Sequence, residues 1–237
     1  MNVQVRPISR PSGTGNAEGG NSRDIALVVF DCDGVILESM DVKTQAFRRI
    51  GAEFGEEAAD RLALYHSLHG GVSRYEKFAW LYREVLGREI SAEEKALLNE
   101  KFVNAALEEV TACPLVPGMQ EVLDRLHGRL PMYVASGAPQ EELCCILEKR
   151  GLARYFAGIR GWPPAKGALL KSIVEESGAD PARCVMVGDA YADLEAARQA
   201  GTQFYGRGDL FKESGLPRHD DMTRFMDWLE GPAGGRR

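Results

Sequence analysis

Asp31 and Asp33 stand one residue apart, followed by Gly34, directly after a short apolar run rich in β-branched residues, Ile25 to Phe30. Such a run reads as a buried strand. Side chains two apart on a strand point the same way. Two carboxylates therefore face one site at the strand's carboxyl end, the edge where open α/β sheets bind ligands. Their mutual repulsion has to be offset. A divalent cation does this, and Mg2+ favours carboxylate oxygens. Two plainer readings compete. Asp and Gly are ordinary turn residues. A calcium loop fails on spacing, because Val35 and Ile36 stand where it needs Asp or Asn and then Gly.

Three later stretches carry the matching chemistry. Met132 to Ala135 is an apolar run ending in Ser136-Gly137. Val185 to Val187 ends in Gly188-Asp189, with Asp193 one helical turn on. Between them Gly161-Trp162-Pro163-Pro164-Ala165 leads to Lys166 at a helix start. A phosphoryl group needs these parts: a hydroxyl and backbone N–H donors, a cation, a metal and an oxygen nucleophile. Singly, each feature reads as a turn, a solvated lysine or a helix cap. Together, four strand-end features in order point to one site.

The elements that must position these residues alternate. Beyond residue 112 the pattern predicts a helix from Pro117 to His127, a strand over 130–135, a helix over 139–150 and a strand over 155–159. It continues with a helix over 166–177, strands over 184–187 and 202–205 flanking a helix over 191–200, and a last helix over 222–229. Repeated β-then-α units imply a doubly wound, parallel, Rossmann-like α/β sheet with right-handed crossovers. Residues 39–111 read instead as four helices with no strand signal, one of them opened by a capping box at Ser91 and Glu94. The chain thus divides into a Gly/Ser-rich flexible tail (1–23), a catalytic core (24–38 and 112–237) and an inserted all-helical cap (39–111).

Composition narrows the function classes. The 237 residues carry 29 Lys and Arg against 35 Asp and Glu, a formal charge of −6. A mildly acidic chain argues against nucleic acid or an anionic membrane as partner. No apolar run approaches ~20 residues, and the N-terminus lacks a signal peptide's apolar stretch, so a cytoplasmic location is expected. An odd count of five cysteines without a CxxC pair argues against a zinc site or disulfide framework. Cys32, between the aspartates, reads as packing.

The motifs Asp31-x-Asp33-Gly34-Val35, Ser136-Gly137, Lys166 and Gly188-Asp189-x3-Asp193 resemble those of the haloacid dehalogenase-like superfamily. The helical insert is similar to the cap of its phosphoglycolate-phosphatase and β-phosphoglucomutase-like branch. The resemblance implies a Mg2+-dependent phosphatase of a small phosphorylated metabolite, sugar phosphates among the candidates, acting through an aspartyl-phosphate. It implies Asp31 as nucleophile and Asp33 as acid and base. The metal would be held by Asp31, Asp189 and the Asp33 backbone carbonyl, with Asp193 near it. Ser136, Gly137 and Lys166 would hold the phosphoryl oxygens. In the stretch His69 to Lys77, similar to the branch's specificity loop, His69, Arg74 and Lys77 are the substrate-binding candidates. A monomer or weak dimer is expected. Two alternatives stand. One is a sugar-phosphate mutase, although Lys43 occupies the place of that group's histidine. The other is a catalytically idle interaction protein of the same fold.

Overall fold

The computed structural model describes residues 23–231; of the tail expected over 1–23, all but Arg23 lies outside the described residues. Six strands, β1 (Leu27–Phe30), β2 (Met132–Pro139), β3 (Gly158–Trp162), β4 (Cys184–Gly188), β5 (Gln203–Arg207) and β6 (Arg218–His219), form one sheet in the order β3-β2-β1-β4-β5-β6. Every pairing is parallel. The expected α/β class, a doubly wound parallel sheet, is the fold found.

Strand β1 is buried on both faces, and its alternation feeds two cores. Val28 and Phe30 pack with α5 (Met119–Leu126), α6 (Gln140–Lys149) and α9 (Phe225–Glu230). Leu27 and Val29 pack on the other side with α7 (Lys166–Ser177) and α8 (Tyr191–Ala200). The register sets Phe30 level with Val134 of β2 and Val187 of β4. Asp31, Ser136 and Asp189 are therefore one or two residues past the same level, at one edge of the sheet.

Between β1 and α5 the chain forms α1 (Met40–Ala52), α2 (Glu56–Leu68), α3 (Arg74–Trp80) and α4 (Ala92–Ala112). A single π-helical turn, Leu81–Val85, follows α3 directly. Ser91 accepts from the Glu94 N–H while the Glu94 carboxylate accepts from the Ser91 N–H, the reciprocal cap expected at the start of α4. Phe47, Phe78 and Phe102 interlock at the centre of this helical layer.

Two elements depart from the sequence pattern. The run at Tyr155 forms a 3-10 turn, Ala153–Tyr155, and the strand begins later, at Gly158. Its end at Trp162 is set by pairing with Pro139, because β2 itself continues past Ser136. β6 is two polar residues at the sheet edge and carries no apolar run to announce it.

Candidate active site

The loop after β1 is tight. Ile36 and Leu37 N–H groups both donate to the Cys32 carbonyl, and the Gly34 N–H donates to the Leu37 carbonyl. Gly34 sits at φ +75°, and a Cβ there would lie 2.1 Å from Asp189 Oδ2. Only glycine accepts both the left-handed backbone and the approach of that carboxylate. Cys32 is buried in the core, where burial pushes its thiol well up.

Asp31 is 2% exposed. Its Oδ1 accepts from the Cys32 N–H at 2.7 Å, and its Oδ2 lies 2.9 Å from Lys166 Nζ. Lys166, at the first position of α7, also donates to Asp193 Oδ1 at 2.5 Å. The other Asp193 oxygen accepts from the Ala190 N–H at 3.0 Å and so caps α8. Ligand oxygens of Asp31, Asp189 and Asp193 all lie within 4.8 Å of one another. Three carboxylates share one lysine. Burial, then Asp31 and Asp193, raises Asp189 well above the usual carboxylate range; burial and the neighbouring Asp193 and Asp33 also raise Asp31, against the pull of Lys166. Burial opposes the charge on Lys166, but Asp193 and Asp31 outweigh it and hold the ammonium. Asp189 Oδ1 is buried with no hydrogen-bond partner. Hard oxygen donors, excess negative charge and an orphaned carboxylate oxygen fit a divalent cation such as Mg2+.

Asp33 is held differently. Its Oδ1 accepts from the Ser39 hydroxyl at 2.5 Å and its Oδ2 from Lys43 Nζ at 2.5 Å. Burial alone would raise its pKa, but Lys43 and Ser39 prevail and bring it down to about 2. Two carboxylates two residues apart are thus driven in opposite directions, Asp31 up by burial and Asp33 down by Lys43 and Ser39. Ser136 is buried, and its hydroxyl accepts from the Ala138 N–H at 3.1 Å.

Asp31, Asp33, Ser136 and Gly137 open into one cavity of about 40 Å³, room for a few waters. The helical layer forms its other wall, with Lys43, His66, Arg74, Lys77 and Phe102 among the lining residues. The turn before α3 lies directly on the core: a Cβ on Gly137 would fall 2.2 Å from the Gly71 carbonyl oxygen. The layer is closed over the strand ends.

A family model for haloacid dehalogenase-like hydrolases matches residues 25–201. The chain belongs to the haloacid dehalogenase-like hydrolases. It is 26% identical over 178 residues to the phosphoglycolate phosphatase of Synechococcus elongatus, spanning 73% of this chain and 79% of that one. It is also 26% identical over 187 residues to the fructose-1-phosphate phosphatase YqaB of Escherichia coli, spanning 74% and 93%. A crystal structure of β-phosphoglucomutase from Clostridium difficile superposes with a TM-score of 0.71 at 19% identity, covering 84% of this chain and 92% of that one. This likeness is one of fold.

Within this hydrolase the strand-end motifs converge, and the cap candidates separate. Arg74 and Lys77 line the cavity; His69 does not. His69 is exposed, stacked on Tyr65 with ring centroids 4.0 Å apart. Lys166 and Asp189 are not among the residues lining this cavity; Lys166 lines a neighbouring one that shares Gly71, Val72 and Gly137 with it. Lys43 and His66 are lining residues that the motifs had not singled out. Their signal lay in periodicity. Lys43 shares its helix face with buried Ala46, Phe47 and Ile50, and His66 with Ala59 and Leu62. A lysine or histidine on a buried face needs a partner, and each has one.

Proposed function

We propose that this hydrolase is a Mg2+-dependent phosphatase of a small phosphorylated metabolite. One observation carries the reading: Asp31, Asp33 and the Ser136 hydroxyl line the same cavity, with Lys166 and an orphaned Asp189 oxygen beside Asp31. Asp31, Asp189 and the Asp33 carbonyl would hold the cation, with Asp193 beside it. A bound Mg2+ supplies charge neutralisation and orientation at the phosphoryl group.

Asp31 attacks phosphorus, the bond to the leaving oxygen breaks, and an aspartyl-phosphate forms. Burial raises Asp31 to about 7, and Lys166, 2.9 Å away, pulls it back toward the ionised, nucleophilic form. Ser136 and the Gly137 N–H hold phosphoryl oxygens. Asp33 gives the leaving oxygen its proton, then takes a proton from the water that attacks the aspartyl-phosphate. The resting ion pair with Lys43 keeps Asp33 ionised. A phosphoryl group's negative charge beside it works against Lys43 and favours the protonated form needed in the first half. The helical segment 39–111 acts as a cap that opens for substrate and excludes water when shut.

The test is phosphate release from hexose, pentose and glycolate phosphates, with Mg2+ and with chelator, for wild type and Asp31→Asn. Release that needs Mg2+ and falls at least 1000-fold in the variant is expected. Isomerised sugar phosphate without net release would transfer the chain to the mutase reading. Near-normal turnover by Asp31→Asn would remove Asp31 from the chemistry.

A further inference from the structure

Two crossings join the core to the helical segment, and they pair with each other. The Glu38 N–H donates to the Pro114 carbonyl at 3.0 Å, and the Val116 N–H to the Ile36 carbonyl at 3.0 Å. Leu37 bridges Leu115 across this ribbon and Asp33 within its own loop. The first crossing then runs into α1. The opening turn of that helix supplies both partners of the Asp33 carboxylate, the Ser39 hydroxyl and Lys43.

That turn lacks its ordinary fastening. A serine at a helix N-cap normally accepts from a backbone N–H of the first turn. Ser39 makes no such bond; it is fully buried, and its hydroxyl donates to Asp33 instead. The start of α1 has to be held from outside, and Glu38, the residue before Ser39, is where the hold falls. Its carboxylate accepts from Arg207 Nη2, 169 positions on. Arg207 ends β5 at the sheet edge that carries the site, because Gly206 before it is level with Gly188, which precedes Asp189. The Arg207 side chain is 19% exposed, and its Nε is buried with no hydrogen-bond partner. An unmet buried donor is a cost to the fold, and a half-shielded ion pair repays little of it. What the pair does supply is a fixed position, since a planar guanidinium holds a carboxylate in a set geometry.

We infer that Arg207, acting through Glu38, is a positioning residue for Asp33: the pair fixes the start of α1 against the core, so that Ser39 and Lys43 hold the Asp33 carboxylate where it serves the leaving oxygen. The inference rests on the phosphatase reading and extends it to two residues outside the cavity lining. Proton transfer needs the acid within hydrogen-bond reach of the oxygen it serves. A carboxylate whose partners drift loses that alignment while the substrate still binds, and a small misplacement costs rate steeply.

The experiment separates a misplaced acid from a loosened fold by the leaving group. An alkyl phosphate, the best substrate among the hexose, pentose and glycolate phosphates, needs a proton on its departing oxygen. 4-Nitrophenyl phosphate does not, because nitrophenolate is stable as an anion. With Mg2+ present, kcat/KM on each reads the half-reaction in which Asp33 gives its proton. Arg207→Met and Glu38→Gln should each lower kcat/KM on the alkyl phosphate about tenfold, and on 4-nitrophenyl phosphate by less than about twofold. The double variant should be no worse than either single one. Arg207→Lys, which still pairs with Glu38, should recover part of the loss. Asp33→Asn should show the same selectivity more strongly, about 100-fold. Arg150 donates to the Thr111 and Cys113 carbonyls on the second crossing, away from the partners of Asp33, so Arg150→Met should show no selectivity. Equal losses on both substrates, no loss in either single variant, or a selective loss in Arg150→Met overturns the inference and leaves the phosphatase intact. An Asp33→Asn enzyme without selectivity defeats the acid role in the phosphatase reading instead. Both single variants should melt within about 4 °C of wild type. A larger drop in both would mark the pair as a fastening of the fold and overturn the inference.

Discussion

At the scale of single residues, the site is a set of carboxylates whose charges are not balanced by the protein alone. Asp189 shows this best. Its carboxylate is nearly buried, one oxygen has no partner, and Asp31 and Asp193 stand beside it. Without a cation, this cluster works against the folded state. Asp189→Asn should therefore melt higher than wild type in chelator, by about 2–4 °C for ~1 kcal/mol relieved in a chain of this size. Mg2+ should raise the wild-type melting temperature through preferential binding to the folded state. It should raise that of the variant much less. A wild type indifferent to Mg2+ would mean that the three carboxylates do not form a cation site.

Elements act here by presenting side chains from separate helices at fixed positions. α3 is only seven residues long, with Ser73 as its cap accepting from the Tyr75 N–H at 3.3 Å. Arg74 and Lys77, three apart, share one face of it. The first ties the cap to α6 of the core, and the second faces the cavity. Both side chains of the Arg74 and Glu142 pair are largely buried, so breaking it leaves a charge stranded. Arg74→Ala and Glu142→Ala should each lower kcat/KM on all phosphoesters alike, by about tenfold. The double variant should be little worse than either, with a coupling of ~1 kcal/mol or more. Additive losses would show that the two residues act separately, and losses confined to anionic substrates would make Arg74 a specificity residue instead.

For the whole molecule, folding buries titratable groups that the unfolded chain exposes, and this links stability to pH. Burial, with Lys77 and Lys43, holds His66 at about 2, against an ordinary 6.5. Between those values the unfolded chain binds a proton that the folded chain refuses, so stability falls as pH falls below 6.5. The slope from this group is at most about 1.4 kcal/mol per pH unit. Lys77, lowered to about 7 from an ordinary 10.5, acts in the same sense over its own window: stability rises with pH from 7 to 10.5. Urea unfolding from pH 7 to pH 5 should show wild type losing stability faster than His66→Gln. Parallel curves would mean that His66 is protonated in the folded cap. Asp33, held at about 2, adds a further loss only below its ordinary 3.8. No helix among the described residues is long and apolar enough to cross a membrane.

The sequence by itself determined the sheet, the order of its elements and the convergence of Asp31, Ser136, Lys166, Asp189 and Asp193. The reason is that repeated β-then-α units with right-handed crossovers build a parallel sheet whatever its strand order, and a parallel sheet brings the carboxyl ends of its strands to one edge. Residues at those ends are legible because each lies next to its strand. It did not determine where β3 ends, because pairing with β2 decides that, nor did it announce β6. Only the tertiary structure decided what the cap contributes. Lys43 reaches Asp33, Lys77 meets His66 across 11 positions, Arg74 is taken by Glu142 across 68, and His69 turns to Tyr65 instead of the cavity. Helical periodicity places a residue on a face. It does not say which distant element that face will meet, and for a buried charge the partner met there sets what it can do.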